Sequence, residues 1–140
     1  MPHVPRVAAL LGVIWLAGCS STRVEQRPVD TLSGVDLYQR LCSSCHGVAA
    51  RGDGSVAPLV KTGVPDLTLL ARRDGGEFPA EDVRRAIDGR WDRRVHGARD
   101  MPVWGWQLYD MSSRDQQQER AVVDSMIERL VTYLQSIQRP

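Results

Sequence analysis

Two thiols and an imidazole stand together in the run Cys42-Ser43-Ser44-Cys45-His46. Two residues between the thiols set them about one helical turn apart, so both sulfurs can reach the two vinyl groups of one porphyrin edge while His46 turns toward the iron. The C-x-x-C-H spacing therefore points to covalent attachment of a c-type haem. Two rival readings of the same residues are weaker. A structural zinc site needs four ligands at tetrahedral angles, and the other candidates, Cys19, His3 and His96, are not at finger-like spacing. A thioredoxin-type dithiol would want a strand before it and a helix after it, whereas Leu37-Tyr38-Gln39-Arg40-Leu41 looks like the end of a helix.

A haem that only passes electrons needs both axial positions of its iron filled. The candidates for the second position are Met101, Met111, Met126 and His96. Met126 lies on the apolar stripe of a C-terminal helix, and Met111 stands among polar residues just before it. Met101 sits in Asp100-Met101-Pro102-Val103-Trp104-Gly105-Trp106, where Pro102 disfavours helix at Met101 and Gly105 permits close backbone approach. An extended loop presents a thioether to a metal better than a packed helix does. His96, flanked by Val95 and Gly97, is the competing ligand.

The elements that must position these groups read as helices. Gly34, Tyr38 and Cys42 fall on one face of a first helix, and the glycine permits another helix to cross closely. Its expected partner runs from Ser113 to Gln138, with apolar residues at Val122, Met126, Ile127, Leu130, Tyr133, Leu134 and Ile137, and a capping box in Ser113-Arg114-Asp115-Gln116. Between them, 47–63 is glycine-punctuated loop with a turn at Gly52-Asp53-Gly54. A short helix is expected over Asp66 to Arg73 with Asp66 as its cap, and a better one over Pro79 to Asp88, ended by Gly89. No strand run and no internal repeat appears, so the fold class is all-α.

The N-terminal stretch bears on compartment. Met1 to Arg6 is short and carries one arginine, Val7 to Trp15 is apolar, and Leu16-Ala17-Gly18 precedes Cys19. This resembles a bacterial lipoprotein signal, which implies removal of residues 1–18 and lipidation of Cys19. With Ser20 rather than an aspartate next to the cysteine, the same resemblance leans toward outer-membrane sorting over the inner membrane. The apolar run is too short for a permanent bilayer-spanning helix. Residues 19–33 then form a lipidated cysteine and a flexible tether, spanning roughly 20 Å on average, and 34–140 form one domain. Removal of the leader takes Arg6 and no acid, so 17 basic side chains would face 17 acidic ones. Such a neutral chain gives a nucleic-acid role no electrostatic support. Three cysteines divide as two for haem and one for lipid, with none left for a disulfide.

Taken together, the chain resembles a bacterial class I cytochrome c. The matching residues are Cys42-Ser43-Ser44-Cys45-His46-Gly47, Met101-Pro102-Val103-Trp104-Gly105 and Leu130-Val131-Thr132-Tyr133-Leu134, with Gly34 and Tyr38 on the first helix, covering 34–137. The resemblance implies thioether bonds at Cys42 and Cys45, His46 and Met101 as axial iron ligands, and a few helices around one covalently bound haem c per chain, the first and last helices crossing. It also implies that the carbonyl of Pro58, twelve residues after His46, accepts the hydrogen bond of the ligand imidazole. The long, arginine-rich stretch between His46 and Met101 departs from small family members. Most of its arginines read as a solvated mixed-charge surface, and one or two near Trp91 or Trp104 are expected to pair with haem propionates.

The expected function is one-electron transfer by a membrane-tethered periplasmic protein between a redox donor and acceptor. No catalytic constellation appears elsewhere in the chain, and no nucleophile motif surrounds His96. The alternatives are a haem enzyme or gas- or peroxide-responsive protein with a labile distal ligand, and a fixed cytochrome subunit of an oxidase or dehydrogenase complex. The pair Trp104 and Trp106 reads as haem packing or as part of a docking patch.

Overall fold

The computed structural model describes residues 28–90 and 100–140; Cys19 and its leader, Trp91, His96 and Arg93, Arg94 and Arg99 lie outside them. Every regular element among the described residues is helical. Helix α1 spans Gly34–Leu41. Its first turn is capped by Ser33, whose hydroxyl accepts the Asp36 N–H at 3.3 Å, and Asp36 and Arg40 sit at the ends where their charges suit the helix dipole. The helix stops at Cys42, and one new turn, α2 (Ser43–His46), carries Cys45 and His46.

Asp66 caps a 3-10 turn, Leu67–Leu69, by accepting the Thr68 N–H at 2.8 Å, and the turn runs into α3 (Leu70–Arg73). Helix α4 (Ala80–Asp88) starts after Pro79, holds Glu81 and Asp82 in its first turn and ends on Gly89 in the left-handed region, as expected. A single turn, α5 (Trp104–Gln107), follows the Met101 loop.

The long helix α6 (Gln116–Ser136) starts later than the expected capping box. Asp115 is its cap, accepting the N–H groups of Gln117 and Gln118 at 3.1 and 2.9 Å. Its short carboxylate reaches both orphan donors, while the Ser113 hydroxyl donates to the Asp115 carbonyl instead.

The core lies on the α1 and α6 seam. Leu37, Tyr38, Val123, Met126, Ile127 and Leu130 are all buried to below 2% exposure, each such side chain being worth about 1.5–3 kcal/mol. Val83 and Ile87 of α4 join the same cluster. Gly34 explains the closeness of the crossing: a Cβ there would run into the Arg129 carbonyl and lie 3.0 Å from Tyr133 Cβ. The Tyr38 and Tyr133 rings pack with centroids 5.2 Å apart.

The folded unit begins earlier than the sequence implied. Val29–Thr31 form a 3-10 turn, Leu32 is buried, and the Arg129 guanidinium donates to the Asp30 carbonyl at 2.8 Å. Residues 29–33, read as the end of the tether, thus pack on α6 because Leu32 adds apolar area to the core. No helix among the described residues is long and apolar enough to cross a membrane.

Candidate haem site

The attachment run is held by its own backbone. The N–H groups of Gly52, Gly54 and Val56 donate to the carbonyls of His46, Cys45 and Ser44 at 2.8, 3.1 and 2.9 Å, which satisfies the C-terminal carbonyls of α2. Gly54 must be small, since a Cβ there would collide with the Ser44 carbonyl and lie 2.6 Å from that of Cys45. From the core, the Tyr38 hydroxyl donates to the Gly47 carbonyl at 2.6 Å. Burial pushes the Tyr38 phenol far up, so it stays a donor. The Cys42 thiol is likewise pushed up to about 12, by burial and then by Cys45, which favours the neutral thiol.

His46 Nδ1 faces the carbonyl of Pro65 at 3.3 Å. A carbonyl only accepts, so this contact puts the proton on Nδ1 and leaves the Nε2 lone pair for a metal. Burial lowers the imidazole pKa, and the Pro65 bond opposes it; the balance favours the neutral ring that ligation requires. The expected partner was Pro58. That residue instead lies exposed in the 3-10 turn Ala57–Leu59. The bonds from Gly54 and Val56 carry the chain past α2 at that point, and it returns at Val64 and Pro65, which press against Gly52.

A cavity of about 520 Å³ opens beside α2, within the range of small-molecule and cofactor sites. Cys42, Cys45 and His46 line it, together with the 60–65 loop except Lys61, and so do Asp100, Met101, Pro102 and Trp104. The other methionines among the described residues go elsewhere: Met126 is 1% exposed in the core, and Met111 is 74% exposed on the surface. Met101 lies outside any helix, as Pro102 led one to expect. The two tryptophans divide. Trp104 lines the cavity, whereas Trp106 is 54% exposed and meets Tyr109 edge to face at 6.2 Å.

Several supporting residues carried no sequence signal. Thr62 Oγ1 donates to Asp100 Oδ2 at 2.6 Å, joining two loops that line the cavity. Arg90, nearly buried, binds Asp88 and, at 2.7 Å, Asp124 of α6; despite the cost of burial, these carboxylates raise its pKa. A Cβ on Gly105 would strike the same pair, so the Met101 loop and α5 rest on an ion pair that ties α4 to α6. Arg90 is thus engaged inside the protein, and Arg84 and Arg85 pair with acids on α4 and α6. Gln138 and Arg139 bind residues 66–71, just after Pro65: Arg139 reaches Asp66 at 3.0 Å and Thr68 at 2.8 Å.

The donor set fits a covalently held haem: two thiols one turn apart, an imidazole with Nε2 free, a thioether, and a largely apolar wall around them. No curated protein and no solved structure matches the chain. The family model described as Cytochrome c matches residues 32–138. The chain therefore belongs to the cytochrome c family, as an all-α protein of electron transfer that binds one haem c covalently.

Proposed function

We propose that this chain is a periplasmic, membrane-tethered carrier of single electrons between redox partners, with Cys42 and Cys45 as the thioether attachments and His46 and Met101 as the axial ligands. Haem c supplies the one-electron iron couple. The observation that carries the reading is that Met101 lines the same cavity as Cys42, Cys45 and His46, while Met111 and Met126 do not. In this reading the Pro65 carbonyl fixes the imidazole, and the Met101 thioether, a neutral soft donor, favours ferrous iron and raises the potential. Trp104, Val60 and Val64 supply apolar wall to the same cavity. With both axial positions filled, substrate chemistry has no place to begin, which favours a carrier over an enzyme. The tether rests on Leu16-Ala17-Gly18-Cys19, and an intact mass of the mature N-terminus checks it: an unmodified cysteine defeats the anchor.

The experiment that tests the axial pair is the near-infrared methionine-to-iron band of the ferric protein. Met101→Ala should abolish it and lower the reduction potential. Persistence of the band in that variant, or immediate cyanide binding by the wild type, overturns the carrier reading in favour of an open haem.

A further inference from the structure

We propose that Thr62 and Asp100 are positioning residues for the second axial ligand, their hydrogen bond tying the Met101 loop to the loop that faces His46 and so slowing departure of the thioether from iron. The inference rests on the His46 and Met101 ligation proposed above. Thr62 Oγ1 donates to Asp100 Oδ2 at 2.6 Å, within the range of a well-formed hydroxyl hydrogen bond. Both residues line the cavity. Asp100 directly precedes Met101, and Thr62 stands three residues before Pro65, whose carbonyl faces His46 Nδ1. A turn closed by Gly63 N–H on the Val60 carbonyl at 3.1 Å presents the Thr62 side chain. The bond thus joins the Met101 segment to the loop whose Pro65 carbonyl faces His46, across 38 residues of chain.

Its effect follows from the weakness of a neutral thioether as a ligand. Met101 cannot swing far from the iron while Asp100 is held, because Pro102 on its other side restricts the backbone and Gly105 rests on the Asp88 and Arg90 pair. Loss of the Thr62 bond removes one of these restraints and enlarges the open population roughly three- to tenfold, the factor that one net hydrogen bond supports.

The test uses the holoprotein with imidazole as the exogenous ligand, followed by loss of the near-infrared band. Thr62→Val and Asp100→Ala should each speed imidazole binding about three- to tenfold, and Thr62→Ser, which keeps the hydroxyl, should restore the slow rate. The double variant should be no faster than the faster single one, since both remove the same bond. A wild-type rate in Thr62→Val, a fast rate in Thr62→Ser, or a double-variant effect equal to the product of the two singles overturns the proposal. Absence of the band in the wild type would instead show that the axial reading itself has failed.

Discussion

On the His46 side of the cavity, three backbone N–H groups close on the carbonyls of α2 and a core tyrosine holds Gly47. On the Met101 side the loop is fastened by side chains: Thr62 to Asp100, Gly105 against Asp88 and Arg90, and the Tyr109 hydroxyl to the Gln116 carbonyl at 3.3 Å. Three of these four ties are backbone bonds, which do not depend on which side chains are present. Side-chain bonds can be altered one at a time, so under the proposed ligation the hold on Met101 is open to adjustment without disturbing the turn that carries Cys45 and His46.

The largest effect that separates the two sides should come from their glycines. In Gly54→Ala the new Cβ meets the backbone of Ser44 and Cys45, which cannot move without opening α2. About 3 kcal/mol of destabilisation is expected, together with a lower yield of chains that keep haem colour on a denaturing gel. In Gly105→Ala the Cβ meets side-chain atoms of Asp88 and Arg90, which can shift. A cost of about 1 kcal/mol is expected, with haem attachment intact and the near-infrared band weakened. Denaturant unfolding and haem-stained gels of both variants measure the contrast. Equal losses would show that the Met101 side is as rigid as the other.

The same contrast explains what was readable in the sequence. The attachment chemistry needs contiguous residues, so Cys42, Cys45 and His46 announce themselves. Met101 is marked by Pro102 and Gly105, whose backbone preferences are local. The first and last helices follow from periodicity, and Gly34 from its place on the Tyr38 face. Pro65 was missed because the path of the 47–65 loop decides which carbonyl returns to His46, whereas the family resemblance pointed to Pro58. The cap at Asp115 was missed because two capping residues stand two positions apart and only the tertiary path chooses between them. The pairings of Thr62 with Asp100 and of Arg139 with Asp66 join distant segments through single side chains, which leave no periodic trace.

A side-chain tie beyond that of Tyr38 also serves the His46 side, and it offers the most conditional effect. Asp66, next to Pro65, accepts from the Thr68 hydroxyl and N–H and pairs with Arg139. The Thr68 side-chain hydrogen bond first, then its backbone N–H and the Arg139 and Arg73 charges, holds the Asp66 carboxyl below its ordinary range, with burial opposing them. A carboxyl lowered on folding stabilises fully above its unfolded pKa and loses that contribution as pH falls through the folded one. Asp66→Asn should therefore lower stability by about 1 kcal/mol near neutral pH. Since the asparagine has no proton to gain, the gap from wild type should close as pH drops through the lowered carboxyl range. Thermal unfolding of both holoproteins across that range measures it. A gap independent of pH would mean that Asp66 acts through shape alone, and that charge contributes nothing to holding the segment behind Pro65.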